Sequence, residues 1–454
     1  MSVTLVLTTY ALVGGAIVLL LCGLGRQARV LTPVLFFVSV EVMAVWPALV
    51  PVDGSPLANL GAFPALLAAI SLLAMVTTYV LFGGASVDAS TWRLAKLPGR
   101  EEARCYGRGL IILVVGLCLL GLLTFGGVPP MLSGGFSSLL DPVGNAEQAM
   151  LIRETRLSLT KGHTLLGEQY AGQGIISAAT ESGWRIAVIV AALYWSWERS
   201  KRSLYLMLTV CALSFVFLAS AGSRAPVIMC GIGFGAALAI RYHLRMRHLV
   251  VATAVSIGAV LLIMPLSKGT LAGISASERS AEMVERITEG NGQNNAHIVR
   301  LVSVDSLEMQ HGGLLMDRLK AMLPGAGSED PFALQITRLA YGADPETTGY
   351  STPTQYGLLY ADGGVLWVLV GYVLSGALLA LAWRRIARVA SPIGAAIAAE
   401  GAITLGYLSV SGIHGVLSSA LMAALALSVV VSPKLWRTWS ASRTQPRRQQ
   451  MSVR

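Results

Sequence analysis

The sequence predicts an all-α polytopic integral membrane protein of about eleven transmembrane helices (10–12), with an external N-terminus, a cytoplasmic C-terminus and a large, partly helical extracytoplasmic loop. Hydrophobic residues make up 54% of the chain and charged residues only 13%, about half the charged fraction of a soluble domain. Several uncharged runs reach the roughly 20 residues that cross a bilayer; the runs cover 1–25, 54–87, 109–140, 203–223, 225–240 and 401–433. We therefore expect a single membrane domain over residues 1–454.

Transmembrane helices are predicted in the apolar windows that lie between charged or turn-forming segments. In chain order they cover 5–23, 31–50, 63–83, 109–126, 173–197, 203–221, 225–240, 249–266, 364–383, 392–411 and 415–432. No Lys or Arg precedes the first window, whereas a cleaved signal peptide begins with a basic region. The first window is therefore predicted to be a retained helix.

The orientation follows from the basic residues, which mark cytoplasmic loops. Every second predicted loop is basic; the residues are Arg26 and Arg29, then Arg93, Lys96, Arg100, Arg104 and Arg108, then Arg199, Lys201 and Arg202, then Arg241, Arg245 and Arg247, then Arg384, Arg385 and Arg388, and finally the tail from Lys434 onward. The net charge of +10 is thus assigned to the cytoplasmic face and to contact with anionic membrane lipids. It is not interpreted as a nucleic-acid surface.

Two extracytoplasmic loops, 127–172 and 267–363, exceed ordinary connections, and a loop as long as the second is expected to be folded and functional. Its sequence predicts three short helices. The first follows a capping box from Ser275 to Glu278, the second runs from Asn294 to His311, and the third is "LLMDRLKAMLPG" at 314–325, which has the pattern of a helix in the membrane interface.

Candidate functional residues begin with Arg224 in "LASAGSRAPVI", a tight turn predicted on the outer face. Cations are disfavoured on that side, and the guanidinium fork suits phosphate, so an anionic ligand is expected; a salt-bridged or snorkelling residue is the alternative. The long loops add further cations: Arg153, Arg156, Lys161, Arg279, Arg286, Arg300, Arg318, Lys320 and Arg338. His297, Arg300, Val304 and His311 are predicted to share one helical face, either as a solvated charged face or with the two histidines as general base or phosphate ligand.

Three carboxylates complete the set. Glu41 and Glu400 lie within predicted spans, where buried acids are costly and suggest function; pairing with an arginine is the structural alternative. Asp362 lies at the mouth of the predicted ninth helix. The five cysteines indicate neither a disulfide framework nor a metal site, and no soluble-enzyme motif is present, so no cofactor is expected.

Residues 312–325, "GGLLMDRLKAMLPG", and 348–381, "TGYSTPTQYGLLYADGGVLWVLVGYVLSGALLAL", resemble the Wzy-type O-antigen polymerases, a family of oligosaccharide repeat-unit polymerases. The Gly-Ser-Arg turn at Arg224 is similar to one in that family. Arg156 with Gly167 and Arg279 with Gly290 satisfy an Arg-x(10)-Gly spacing found in one of its branches. The acidic "PGAGSEDP" departs from the family pattern, which often has a basic residue after the proline.

The resemblance implies a metal-independent, GT-C-like membrane glycosyltransferase of the bacterial cytoplasmic membrane. Such an enzyme polymerises undecaprenyl-diphosphate-linked oligosaccharide units into O-antigen, capsule or exopolysaccharide, and a chain-length regulator and a flippase are the further expected partners. Arg224, Arg156, Arg279 and Arg300 are the expected diphosphate ligands, since cations are needed where the charge of the leaving group develops. Tyr350 and Tyr360 are expected to contact sugars, and Asp362 or His297 is the expected general base.

Two alternatives remain open. An O-antigen ligase shares this outline and transfers finished glycan to another acceptor. A secondary transporter or flippase of lipid-linked glycans would instead use Glu41 and Glu400 as coupling carboxylates in the middle of the membrane.

Overall fold

The computed structural model describes residues 8, 11–15, 32–45, 49, 60, 62–86, 97–125, 127–129, 131–132, 173–220, 224–242, 291–304, 306–320, 332–342, 353–389 and 391–444. Regular structure in these segments is helical throughout, without a strand. The chain forms two compact units. Unit 1 comprises 1–91, 273–390 and 401–418; unit 2 comprises 92–272, 391–400 and 419–454. The expectation of one membrane domain stays a prediction.

The helices are numbered in chain order. They are α1 Pro33–Val40, α2 Phe63–Leu81, α3 Arg100–Phe125, α4 Gln173–Glu198, α5 Lys201–Ser220, α6 Arg224–Tyr242, α7 Asn291–Ser303, α8 Gly313–Lys320, α9 Phe332–Tyr341, α10 Gln355–Ala387, α11 Gly394–Gly406 and α12 Leu408–Thr444. Six helices among the described residues are long and apolar enough to cross a membrane, which confirms a helical membrane protein. The predicted helix over 249–266, and that over 5–23 apart from residues 8 and 11–15, lie outside the described residues.

Helix α10 is not one straight rod, because it reverses direction at Gly363 and Gly364. Gly364 has a φ of +65°, which favours glycine. The Gln355 amide donates to the Ser375 hydroxyl at 2.6 Å, although 20 residues of straight helix would separate them by about 30 Å. A Cβ on Gly371 would overlap the Leu359 side chain. Residues 355–362 therefore fold back against residues 365–387.

The segment before the reversal, from Gln355 to Asp362, precedes the predicted ninth helix and is itself helical, since Gln, Leu, Tyr and Ala are compatible with a helix. The second half of α10, from Val365, matches the predicted span at 364–383 and is long enough to cross the bilayer by itself.

The second half of α10 packs in parallel against α2. A Cβ on Gly376 would meet the Met75 carbonyl oxygen, and at the far end the Arg384 guanidinium donates to the Phe82 carbonyl at 3.1 Å. Close approach at a glycine is typical of helix pairs in membranes. A parallel arrangement is the one that the alternating loop charges require of the third and ninth predicted helices.

Unit 2 is built around α4, which packs against α3, α5 and α6. Trp184 and the run from Ile186 to Leu193 are almost completely buried, and Trp184 stacks on Phe217 of α5 at a centroid distance of 5.5 Å. A helix buried on all sides is expected at the centre of a bundle.

Within this apolar core, Arg185 forms a bidentate ion pair with Glu400, at 2.7 Å from Nε to Oε2 and 2.5 Å from Nη2 to Oε1. The two residues are 7% and 4% exposed. The structural alternative for Glu400, pairing with an arginine inside the bundle, is therefore the observed one. A fork of this kind satisfies both charges where water is absent.

The short helices of the second long loop differ in part from the prediction. The segment predicted from Asn294 to His311 is helical only from Asn291 to Ser303, and His311 has a φ of +47°. Since His311 lies in a turn, the predicted common face of His297, Arg300, Val304 and His311 does not form. Helix α8 covers the first part of the predicted interfacial helix, and α9 was not predicted.

Candidate functional site

The candidate site lies in unit 1, where α7, the turn before α8 and the reversal of α10 meet. The Asp362 carboxylate accepts three backbone N–H groups: Gly312 and Leu314 donate to Oδ1, both at 3.1 Å, and Leu315 donates to Oδ2 at 3.3 Å. We call this arrangement the Asp362 cap. Asp362 is 3% exposed. A carboxylate at the N-terminus of a helix satisfies N–H groups that have no partner within the helix, so the cap fixes the start of α8.

The reversal of α10 supplies a second contact to the same turn. The Gln310 N–H donates to the Ala361 carbonyl at 3.0 Å, which becomes accessible because the helix is interrupted two residues later at Gly363. The described parts of the two segments that carry the resemblance, 312–320 and 353–381, are therefore joined through Asp362.

Helix α7 is held against the start of α10 by a reciprocal pair. The Asn295 amide donates to Thr354 Oγ1 at 2.8 Å, and the Thr354 backbone N–H donates back to Asn295 Oδ1 at 3.1 Å. Both residues are fully buried, and a Cβ on Gly357 would overlap Asn295 Oδ1. The polar N-terminal half of α7 is thus packed directly onto the first turn of α10.

Of the predicted site residues, His297 and Arg300 lie on α7, one turn apart and half-buried. Burial, and secondarily the positive charge of Arg300, hold the pKa of His297 below its ordinary value. His297 is therefore neutral at pH 7 and able to accept a proton, as a general base must be. Its role as the base stays a prediction.

The depressed pKa of His297 makes stability depend on pH. At a pH between the pKa of His297 in the folded chain and its ordinary value of 6.5, the unfolded chain binds a proton at His297 that the folded chain does not. The contribution of His297 to the free energy of unfolding is therefore fully retained above pH 6.5 and decreases as the pH falls below it. We expect His297→Gln to lose less thermal stability than wild type between pH 7.5 and 5.5, measured in detergent by tryptophan fluorescence. His311→Gln, on an exposed turn, is the matched control; equal pH dependence in wild type and both variants would contradict the prediction.

Tyrosines line the inner side of the short first half of α10. The predicted sugar contact Tyr360 is buried and stacks on Tyr356 at 6.4 Å, and the Tyr356 hydroxyl donates to the Pro64 carbonyl at 3.0 Å. In this conformation Tyr360 is part of the core of unit 1, and a sugar contact by Tyr360 stays a prediction.

Glu41 begins a π-helical turn, Glu41–Val45, and is buried beside Tyr372. Among the described residues, no arginine lies within ion-pair distance of Glu41, and Oε1 has no hydrogen-bond partner. The arginine pairing found for Glu400 therefore has no counterpart at Glu41 within the described segments. No group of three or more His, Cys, Asp or Glu residues that could hold a metal occurs in those segments.

The remaining predicted ligands are not located relative to this site. Arg224 is the first residue of α6 in unit 2, and only its backbone is described. Arg156, Arg279 and Tyr350 lie outside the described residues. Whether these arginines converge on one diphosphate stays a prediction.

The fold defines the class: the chain is a helical, multi-pass membrane protein with a folded polar segment packed onto one of its spans. Comparisons of the chain with protein-family models, with curated proteins and with solved structures give no match. The resemblance to repeat-unit polymerases therefore stays a prediction.

Sequence reasoning missed the Asn295–Thr354 pair and the three donors to Asp362. The sequence carried no signal for the first, because Asn294 and Asn295 lie in the polar start of α7 and only the structure shows that they are buried and therefore need partners. The double glycine after Asp362 was a signal for the reversal, since paired glycines mark turns.

Proposed function

We propose that this protein polymerises oligosaccharide repeat units carried on undecaprenyl diphosphate, at the outer face of a bacterial cytoplasmic membrane. In this reaction the glycan is transferred from its diphosphate carrier to a hydroxyl of the terminal sugar on a second lipid-linked unit. The new glycosidic bond replaces the bond to phosphate, undecaprenyl diphosphate leaves, and the hydroxyl proton passes to a base.

The observation that carries the proposal is the joining of 312–320 to 353–381 through Asp362. These are the described parts of the two segments with the polymerase resemblance, and the Asp362 cap and the Gln310–Ala361 hydrogen bond hold them together. A resemblance confined to hydropathy would not require contact between the two segments. Their contact supports the interpretation of 312–381 as one functional unit.

The chemistry assigns a role to each type of residue. Arginines are suited to the diphosphate, because they remain protonated and bind two oxygens at once; Arg224, Arg156, Arg279 and Arg300 are the candidates. His297 is the candidate base, since its lowered pKa keeps it neutral. No metal or cofactor is assigned to the proposed reaction.

The test is elongation by the purified protein in proteoliposomes, with a synthetic undecaprenyl-diphosphate-linked repeat unit and a gel readout of chain length. We expect wild type to produce a ladder without an ion gradient. Arg224→Ala should lower the elongation rate about 10²–10³-fold, as loss of one donor to developing charge does. Arg202→Ala, at an exposed position of unit 2, should elongate normally, and both variants should accumulate to wild-type levels.

Each alternative has a distinct outcome. A ligase would leave the single unit unextended, but would transfer preformed polymer to a different acceptor. A transporter would show no elongation and would move the lipid-linked unit between leaflets. Wild-type chain lengths in Arg224→Ala would remove Arg224 from the mechanism.

A further inference from the structure

Both carboxylate oxygens of Asp362 accept hydrogen bonds from backbone N–H groups, an arrangement that a general base does not require. We propose that Asp362 is a positioning residue, not the general base, and that it holds α8 at the membrane surface beside the start of the second half of α10. The kinetic part of this inference rests on the proposed polymerase function; its structural part does not.

The hydrogen bonds of Asp362 carry the first step. Oδ1 accepts two backbone N–H groups and Oδ2 accepts one, and the side chain is buried. A general base needs a lone pair directed at the substrate proton. Here the donors are those at the first turn of α8, where a negative charge is favoured by the helix dipole.

The backbone around the cap is shaped to fit it. Gly312 has a φ of +90° and Gly364 a φ of +65°, values that residues with a Cβ rarely adopt. A Cβ on Gly363 would overlap the Trp367 ring. Because the two turns meet at Asp362 and both use backbone conformations that favour glycine, α8 and the reversal of α10 are held as one element.

The position of this element relative to the membrane follows from the span. The second half of α10 begins at Val365, three residues after Asp362, so the cap lies at the level where the span begins. Met316 of α8 is 55% exposed and Leu366 of the span is 67% exposed, whereas Leu314 is buried. An exposed apolar face beside a lipid-facing helix, with Asp317 and Lys320 exposed to water on the same short helix, fits the membrane interface.

It follows that loss of the cap should weaken binding of a lipid-linked substrate more than the chemical step. In a ladder assay, we expect Asp362→Ala to raise the KM for the lipid-linked unit roughly five- to tenfold, with a smaller change in kcat and an unchanged pH profile. Asp362→Asn should be milder, since its amide oxygen can still accept from Gly312 and Leu314. Asp317→Asn, which removes an exposed acid from the same helix, should match wild type.

A second measurement does not need activity. An environment-sensitive fluorophore attached at Met316→Cys in proteoliposomes, with labelled wild type as the blank for native cysteines, reports the surroundings of α8. We expect blue-shifted emission that moves to the red in Asp362→Ala, but not in Asp317→Asn. Gel filtration of each variant checks that it is folded.

Three outcomes separate the possibilities. A 10²–10⁴-fold loss of kcat in both Asp362→Asn and Asp362→Ala, with loss of the acidic limb of the pH profile and unchanged fluorescence, would make Asp362 the base and overturn the inference. Unchanged fluorescence and an unchanged KM in folded Asp362→Ala would also overturn it. If the wild type elongates nothing, but the fluorophore emission shifts to the red in Asp362→Ala, the positioning role is supported and the polymerase function is rejected.

Discussion

Arg185→Met is expected to destabilise the protein by about 3–5 kcal/mol, the cost of leaving one partner of a buried ion pair uncompensated. The variant removes the bidentate partner of the Glu400 carboxylate, which is 4% exposed, in the core of unit 2. Glu400→Met removes the bidentate partner of the Arg185 guanidinium and should also destabilise the protein. Unfolding in mixed micelles with a rising fraction of SDS, followed by tryptophan fluorescence, measures the loss.

The double variant Arg185→Met/Glu400→Met decides whether the pair is the cause. Replacing both charges with apolar side chains is often close to neutral, so the double variant should be far more stable than either single variant. Arg202→Met, at an exposed position of α5, controls for the loss of an arginine and should change little. If the two single effects simply add in the double variant, the side chains are not coupled.

Gly109→Ala is expected to destabilise unit 2 by about 1–3 kcal/mol, as overpacking of a close contact does. The added Cβ would lie within 3.0 Å of the carbonyl oxygen, carbonyl carbon and Cα of Val430. These are backbone atoms of α12, so a side-chain rotation cannot relieve the overlap and the two helices must separate. The same mixed-micelle titration measures the effect.

The matched control lies on the same helix. Gly116→Ala places a Cβ that meets nothing within 4 Å, on an exposed face of α3. This variant should be neutral, or more stable by up to about 1 kcal/mol because alanine favours the helix. A lower free energy of unfolding in Gly109→Ala but not in Gly116→Ala would show that the Gly109–Val430 contact is the cause. Equal changes in the two variants would show that α3 and α12 do not approach so closely.

The sequence predicted the helical segments well where hydropathy governs them. The predicted windows at 63–83, 203–221 and 225–240 match α2, α5 and α6 to within about three residues, within ordinary boundary error. Helix α3 begins at Arg100 instead of 109, because Glu101, Glu102 and neighbouring polar residues continue the helix beyond the apolar window. The predicted break between the last two spans, at 412–414, matches Gly412, which interrupts α12 with a φ of +68°; a further turn at Tyr407 was not predicted.

The candidate site was predicted only as a segment. The resemblance marked 312–325 and 348–381, and Asp362 was singled out by its position at the mouth of a span. Its partners could not be inferred, because Gly312 and Leu314 are separated from Asp362 by 50 and 48 residues. No periodicity or spacing rule acts over such a distance.

The sequence by itself determined that this chain is a helical membrane protein, because hydropathy is a sum over neighbouring residues and the bilayer requires long apolar windows. Tertiary structure alone decided that Glu400 pairs with Arg185, 215 residues away, and that α10 folds back on itself so that Asp362 caps α8. The physical reason is that a buried charge or backbone N–H group must find a partner in space, and which partner is near depends on how the helices pack.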